Sequence, residues 1–375
     1  MVPSEFQFPA PLPWAALALP LAAAEDALAR LDERLAKSPI RNGWIARTHF
    51  TDACASLWLD GELVHLEDLV LHDAAMDVRT PTAELIRTHE VLRTRRRIAD
   101  AKPDWALSPA GIDGLRGRLR GPPPAEHDAE NDDAGDVAFS TEAMDSTAPL
   151  PTDDRFADAF AAIDAAASRT DRAVAHTLSS GLLRHELLAL DPDWNEDACL
   201  ADWQDVVRQT RSLPAALAAA ITLDAWDQIA PLQRMAWLGR QLVAALLRQR
   251  GKTRHHLACL NVGLRQIDFS RRRSREPTTR LIARLDAITA AATAGLQDHD
   301  RWSTAHTLLK RKLAGRRASS RLPALLDLVM ARPILSANMI AAELRITSRA
   351  AIDLVGELGL RETTGRSRYR AWGIL

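Results

Sequence analysis

Residues 321–375 carry a succession of start and stop signals that leaves the backbone little choice. Arg321–Ala331 (RLPALLDLVMA) sets Leu322, Leu325, Leu326 and Val329 on one helical stripe. Pro333 ends it by removing a donor and restricting the residue before it. Ser336 is an N-cap for a helix over Ala337–Leu344, and Thr347 or Ser348 caps another that runs to Leu358, where Gly359 supplies a C′ stop. The remainder, LRETTGRSRYRAWGIL, reads as two strands about a Thr364-Gly365-Arg366 turn, with Arg368, Arg370 and Trp372 alternating. Three short helices followed by a basic hairpin predict a winged helix-turn-helix.

Such a module suits double-stranded DNA. The third helix opens on small and polar residues, Thr347, Ser348 and Arg349, which can enter a major groove and bring the helix dipole near phosphate. Arg366, Arg368 and Arg370 on the hairpin would reach the adjacent backbone or minor groove. Leu344, Ile346, Ile352, Leu354 and Leu358 are assigned to the module's core. The alternative is a winged helix that serves only protein contacts, a reading the basic hairpin disfavours.

The charge distribution agrees. Of 375 residues, 48 are Lys or Arg and 49 Asp or Glu, but residues 121–160 hold about −10 and residues 241–375 about +15. The C-terminal third is then either built to approach a polyanion or carries a solvated basic face that only keeps it soluble. The 47% hydrophobic fraction is dominated by Ala and Leu, with 5% aromatic residues, which favours helices packed on helices. A mainly α protein is expected.

Upstream, helical periodicity marks 15–37, a helix beginning near Thr51 and broken at Asp60-Gly61, 83–99, 155–190, 199–220, 224–250 and 277–298. Between 121 and 154 the pattern gives way to Pro, Ser, Thr and acids and reads as a disordered acidic linker. The expected organisation is an N-terminal helical region (1–120), that linker, a helical domain (155–315) and the winged helix (320–375). The run RQRGKTRHHLACLNVGLRQIDFSRRRSRE is expected to form surface loop and short helix. Within it, Arg271, Arg272 and Arg273 make a second candidate nucleic-acid contact.

Candidate catalytic features are weak. Gly251-Lys252-Thr253 resembles the end of a phosphate-binding loop, but Leu246 stands where that loop needs glycine. His255 and His256 are adjacent and diverge on any regular element, so they read as surface or DNA-proximal rather than as metal ligands. Asp191, Asp193, Glu196 and Asp197 read as a solvated loop. Cys54, Cys199 and Cys259 lie far apart with no ligand spacing, which fits a reducing cytoplasm. The apolar stretch from Pro11 to Ala24 contains prolines and is too short to span a bilayer, so no membrane partner is expected.

Two regions together resemble Fic/Doc-type proteins that carry a C-terminal winged helix. One is the module above, with its Ser-Arg-Ala-Ala-Ile helix start and Thr-Gly-Arg-x-Arg-x-Arg hairpin. The other is Ile229-Ala230-Pro231-Leu232 followed by Trp237-Leu238-Gly239-Arg240-Gln241-Leu242, which looks like a decayed Fic loop. Ala230 stands where that family has its catalytic His, and Met235, Ala236, Trp237 and Leu238 replace its Gly-Asn-Gly-Arg cradle. Neither a general base nor an anion nest can be made from these side chains, so nucleotidyl transfer is not expected. Ser56–Gly61 is similar to the family's inhibitory-helix motif, with Asp60 in place of Glu. The chain also resembles a group of bacterial proteins, often plasmid-borne, that join a domain of unknown function to a helix-turn-helix. Their run Arg-Gly-Lys-Thr-Arg-x-His-Leu-x-x-Leu-Asn stands here at Arg250–Asn261.

The resulting expectation is a Fic-like helical body with a C-terminal winged helix-turn-helix that binds DNA as a regulator, without enzymatic activity, cofactor or metal. Homodimerisation is left open. An enzyme of altered Fic chemistry and a protein-interaction scaffold are the competing readings.

Overall fold

The computed structural model describes residue 6 and residues 11–77, 80–117, 194–313, 320–363 and 370–374. The acidic segment 121–154, the helix expected over 155–190, and Arg366 and Arg368 lie outside the described residues.

The first described helix, α1 (Trp14–Ala36), buries Leu17, Ala24, Leu28, Leu31 and Leu35 along one stripe, as its periodicity predicts. The second, α2 (Arg41–Leu59), begins ten residues before the expected start at Thr51. Thr51 is not a cap. Its hydroxyl donates back to the Thr48 carbonyl at 3.2 Å, which lets a β-branched polar residue sit inside a helix. Helices α3 (Leu66–Asp73), α4 (Ala83–Asp100) and α5 (Pro109–Leu115) complete the N-terminal part, with Thr82 and Ser108 capping the last two.

The single helix expected over 199–220 is two, α6 (Glu196–Gln209) and α7 (Ala215–Ile229), divided at Pro214. A loop then leads to α8 (Leu238–Gln249), and two short helices follow, α9 (Leu260–Arg265) and α10 (Phe269–Arg272). The 36-residue α11 (Pro277–Lys312) starts at the Glu276 cap and runs fourteen residues beyond its expected end at 298. Trp302 and Leu309 continue its buried stripe there. Across α11 lie α1, α7 and α9, so the N-terminal helices and the later ones share one core. Gly263 of α9 packs so closely on α11 that a Cβ would lie 2.0 Å from the Ala287 carbonyl oxygen, so the contact requires glycine.

The C-terminal unit comprises α12 (Leu322–Ala331), β1 (Leu335–Ser336), α13 (Ala337–Leu344), α14 (Ser348–Leu358), β2 (Arg361–Glu362) and β3 (Ala371–Gly373). Its strands form an antiparallel sheet in the order β1-β3-β2, with Leu335 opposite Trp372 and Arg361 opposite Gly373. Arg332 is extended ahead of Pro333, Ser336 accepts from the Met339 amide, and Thr347 from the Ala350 amide. Gly359 takes φ +67° and the Leu360 amide reaches back to the Val355 carbonyl, a Schellman close. The terminators foreseen from the residues are thus the ones used.

This unit is seated on the body by α2. Arg47, buried, donates to the carbonyls of Val329 (2.9 Å), Arg332 (2.8 Å) and Ile374 (3.1 Å), and its guanidinium stacks on Trp302. Gly43, one turn earlier, faces the Met330 carbonyl, where a Cβ would come to 2.9 Å. From α11, Lys312 donates to the Leu358 carbonyl at the end of α14.

Candidate nucleic-acid interface

Helix α14 turns Ala351, Val355 and Leu358 inward and leaves Ser348, Arg349, Ile352, Asp353, Gly356 and Glu357 in solvent. The side chain of Arg349 is 86% exposed, and its 3.7 Å approach to Asp353 is long enough to leave the guanidinium free for a new partner. Ser348 donates to the Asn338 side-chain oxygen at 2.9 Å, which ties the start of α14 to α13. Thr347 spends its hydroxyl on the cap. Thr347, Ser348 and Arg349 thus stand at the N-terminal turn of α14, each with a different partner.

Ile352 corrects the sequence reading. It was assigned to the core, but at 41% exposure it lies one turn after Arg349 on the outward face. An exposed branched side chain there can meet a thymine methyl group. Period alone hides this, because Ile352 neighbours the buried Ala351 and Val355. The far end of the same face is acidic, with Asp353 and Glu357, so only the first turn and a half suits DNA.

On the hairpin, Arg370 is half-exposed, lies 5.5 Å from the Trp372 ring and pairs with Glu362 across the strands at 2.8–2.9 Å. Its charge is partly spent within the sheet. The second predicted cluster lies elsewhere. Arg271 pairs with Asp286 at 2.6 Å, the Arg272 Nε donates to the Ile267 carbonyl, and Arg273 is exposed. Between Asp286 and Lys312, which touches α14, α11 runs on for about 39 Å at 1.5 Å per residue. The structure does not bring the two clusters together.

The run Arg250–Asn261 is also corrected. Rather than a surface loop, much of it is interior, with Thr253, His256, Leu257, Ala258, Cys259, Leu260 and Asn261 buried. Arg250 donates to the Thr210 and Leu213 carbonyls, and Lys252 pairs with Glu25. Both histidines converge on Asp32, the His255 ring at 3.0 Å and the His256 ring at 3.2 Å, with the His255 amide at 2.9 Å. Burial would raise the Asp32 carboxyl, but these hydrogen bonds outweigh it and hold it at about 2. Asn261 and the Val262 amide donate to Asp52, whose other partner is the fully buried Arg95 at 2.7 Å. Arg95 also reaches the Leu257 and Ala258 carbonyls. The run is thus the knot that joins α1, α2 and α4. Adjacent histidines gave no sign of this, since their shared partner is 223 residues away.

Two family models match the chain. One, described as a protein of unknown function, DUF1612, covers residues 188–314, and the other, described as a helix-turn-helix DNA-binding domain, covers residues 322–375. A relative from Sinorhizobium fredii, described as the uncharacterized protein y4cF, is 47% identical over 370 residues, 92% of this chain and 93% of its own. The chain belongs to the DUF1612 family. In this chain the helix-turn-helix DNA-binding domain follows immediately after the DUF1612 region.

In this DUF1612 protein the loop likened to that of Fic proteins runs between α7 and α8. Ala230 takes a left-handed conformation at the end of α7, and Trp226 donates to the Ala236 carbonyl. Arg240 of α8 donates to the Ser56 hydroxyl at 2.9 Å and to both Asp60 oxygens at 3.0–3.1 Å. The Ser56–Asp60 segment therefore meets α8 across 180 residues. Among the described residues, no group of three or more His, Cys, Asp or Glu side chains could hold a metal ion, and no helix is long and apolar enough to cross a membrane.

Proposed function

We propose that this protein is a DNA-binding regulator that reads a major groove with the first turn and a half of α14. The observation that carries this reading is the outward-facing set Ser348, Arg349 and Ile352 at the N-terminus of a capped helix in a helix-turn-helix domain. Arg349 offers paired donors to a guanine edge, Ile352 an apolar contact, and the helix dipole favours nearby phosphate. The hairpin serves as a wing, with Arg370 and, from the sequence, Arg366 and Arg368 directed at the backbone. The body supplies no nucleotidyl transfer, because Ala230 cannot act as a base. Selection of bound duplexes from a random pool, followed by footprinting, tests this. A recovered motif protected in the footprint is expected, and no enrichment over the input pool would overturn the reading.

One observation favours an enzyme of altered Fic chemistry instead: the bonds of Arg240 to Ser56 and Asp60, which join the two segments likened to that family. Transfer of labelled nucleotide to any protein, lost on substitution of Arg240, would establish it.

A further inference from the structure

A cleft of about 410 Å³ opens where the C-terminal ends of α4 and α8 meet the first half of α2 and the loop after α8. Arg96, Arg248, Arg254, His49, His255 and His256 line it, and Asp100 is the one carboxylate among its described lining residues. It lies at the opposite end of α8 from Arg240.

The basic groups are not equivalent. Arg96 is neutralised by a forked pair with Asp73 at 2.6 and 3.0 Å. Arg248 uses one terminal nitrogen on the Ile98 and Ala101 carbonyls, and Arg254 uses its Nε on the Gly251 carbonyl. Neither has a carboxylate within ion-pair reach among the described residues. Two guanidinium groups thus face one cleft with donors to spare, and burial lowers the pKa of Arg248 with the charge of Asp100 only partly opposing it.

Two imidazoles add unfilled valences. His49 and His256 are each over nine-tenths buried, and His49 Nδ1 and His256 Nε2 have no hydrogen-bond partner. Burial together with Arg95 and Arg96 keeps His49 neutral, so it can exchange a hydrogen bond without adding charge. A buried polar atom left without a partner is costly, and a ligand seated in the cleft would satisfy both nitrogens. A larger hollow beside α1 and α11 lacks this character, because Arg30, Glu33, Arg34 and Lys37 there are all paired already.

Two unpaired guanidiniums beside neutral imidazoles suit a dianion with several acceptor oxygens, which is a phosphate better than a carboxylate. The volume falls within the roughly 300–1,000 Å³ of small-molecule sites, and Ile45, Ala46, Ala99 and Leu257 give an apolar wall for an organic remainder. The cleft also shares a helix with the DNA-binding unit. Asn42, Ile45, Ala46 and His49 follow the i, i+3, i+4, i+7 spacing of one face of α2, and Gly43 and Arg47 on the adjoining stripe seat α12.

We infer that this cleft binds the phosphate group of a small phosphorylated metabolite and that α2 makes it an effector site for the DNA-binding domain. The effector role rests on the DNA-binding reading above, whereas the binding site itself does not.

Calorimetric titration of the full chain without DNA, using inorganic phosphate, ribose 5-phosphate and uncharged ribose at matched chloride, tests the site. Saturable binding of the phosphorylated probe but not of ribose is expected. Arg254→Gln, whose exposed side chain leaves the unliganded unfolding midpoint unchanged, should weaken it about tenfold, the worth of one charge-assisted contact. No saturable binding, or binding unaltered in Arg254→Gln, overturns the site. With ribose 5-phosphate bound, affinity for a selected duplex should shift at least severalfold, and an unchanged affinity overturns the effector role. If Arg254→Gln weakens DNA binding in the absence of phosphate, the cleft belongs to the DNA backbone and the metabolite proposal falls. A protein that binds phosphate but no duplex contradicts the DNA-binding reading alone.

Discussion

Arg349 and Arg370 belong to the same DNA-binding unit, but their surroundings assign them different work. Arg349, on the first turn of α14, has only a long 3.7 Å approach to Asp353, whereas Arg370 is held by Glu362 at 2.8 Å. Removing the partner should release the hairpin charge. Glu362→Gln is therefore predicted to strengthen binding to all duplexes alike and to steepen the log–log salt dependence, with a slope change of up to about one. A gel-shift series across salt concentrations checks this, and a change confined to one sequence would contradict it. The residue scale is also where the sequence was least legible. Ile352 and its neighbours share the same hydrophobic character, and only the packed α14 separates the outward from the inward. Titration belongs to this scale too. Burial lowers the pKa of His49 well below its ordinary 6.5, and that of His256 is lowered as well, so the unfolded chain takes up protons that the folded one refuses. Stability is then full above pH 6.5 and falls as the pH drops below it, while Asp32, held at about 2, stays ionised and adds no slope in that window. His49→Gln should flatten the fall in unfolding midpoint between about pH 7 and pH 5.5. Parallel curves for both proteins would refute the assignment.

At the scale of elements, α2 has three tasks: it holds Asp52 against Arg95, lines the basic cleft, and seats the DNA-binding unit through Arg47. Its true start at Arg41 was hidden because Thr51, a residue type favoured at N-caps, satisfies its hydroxyl inside the helix. The terminators of α12, α13 and α14 were legible for the opposite reason: proline, serine, threonine and glycine there act locally, each on a backbone group within a few residues. The run Arg250–Asn261 was misread because its partners, Glu25, Asp32 and Asp52, lie some 200 residues away, and burial decided by such contacts leaves no local period. Arg47 gives the element-scale prediction. Its three carbonyl partners all belong to the C-terminal unit, and burial pulls the pKa of its guanidinium down to about 10. Arg47→Ala leaves those carbonyls unpaired at a cost of about 3 kcal/mol. Scanning calorimetry should then resolve a separate, earlier transition for the DNA-binding unit. A single transition at the original midpoint would show that Arg47 does not fasten it.

For the whole molecule, the charge asymmetry in the sequence does not say how the basic charge of the C-terminal third is distributed in space. Much of it is internal: Arg280 and Arg284 hold Asp224 and Asp227, and Arg250 holds the turn after α6. The Arg271–Arg273 cluster and α14 lie at well-separated levels of α11, and two of those arginines already have partners. Replacing all three by Ala should leave a footprint on a selected half-site unchanged in extent. A shortened footprint would show that the duplex crosses the body as well.

On the reading proposed here, DNA is read by the start of α14. The most direct measurement is the affinity of the full chain and of Arg349→Ala for a selected duplex and for a shuffled one, across a salt titration. Both proteins should lose affinity as salt rises, and Arg349→Ala should give up about 1–3 kcal/mol of preference at one base position while keeping most of its affinity for shuffled DNA. An Arg349→Ala protein that discriminates as well as the parent chain, at every salt concentration, would contradict it.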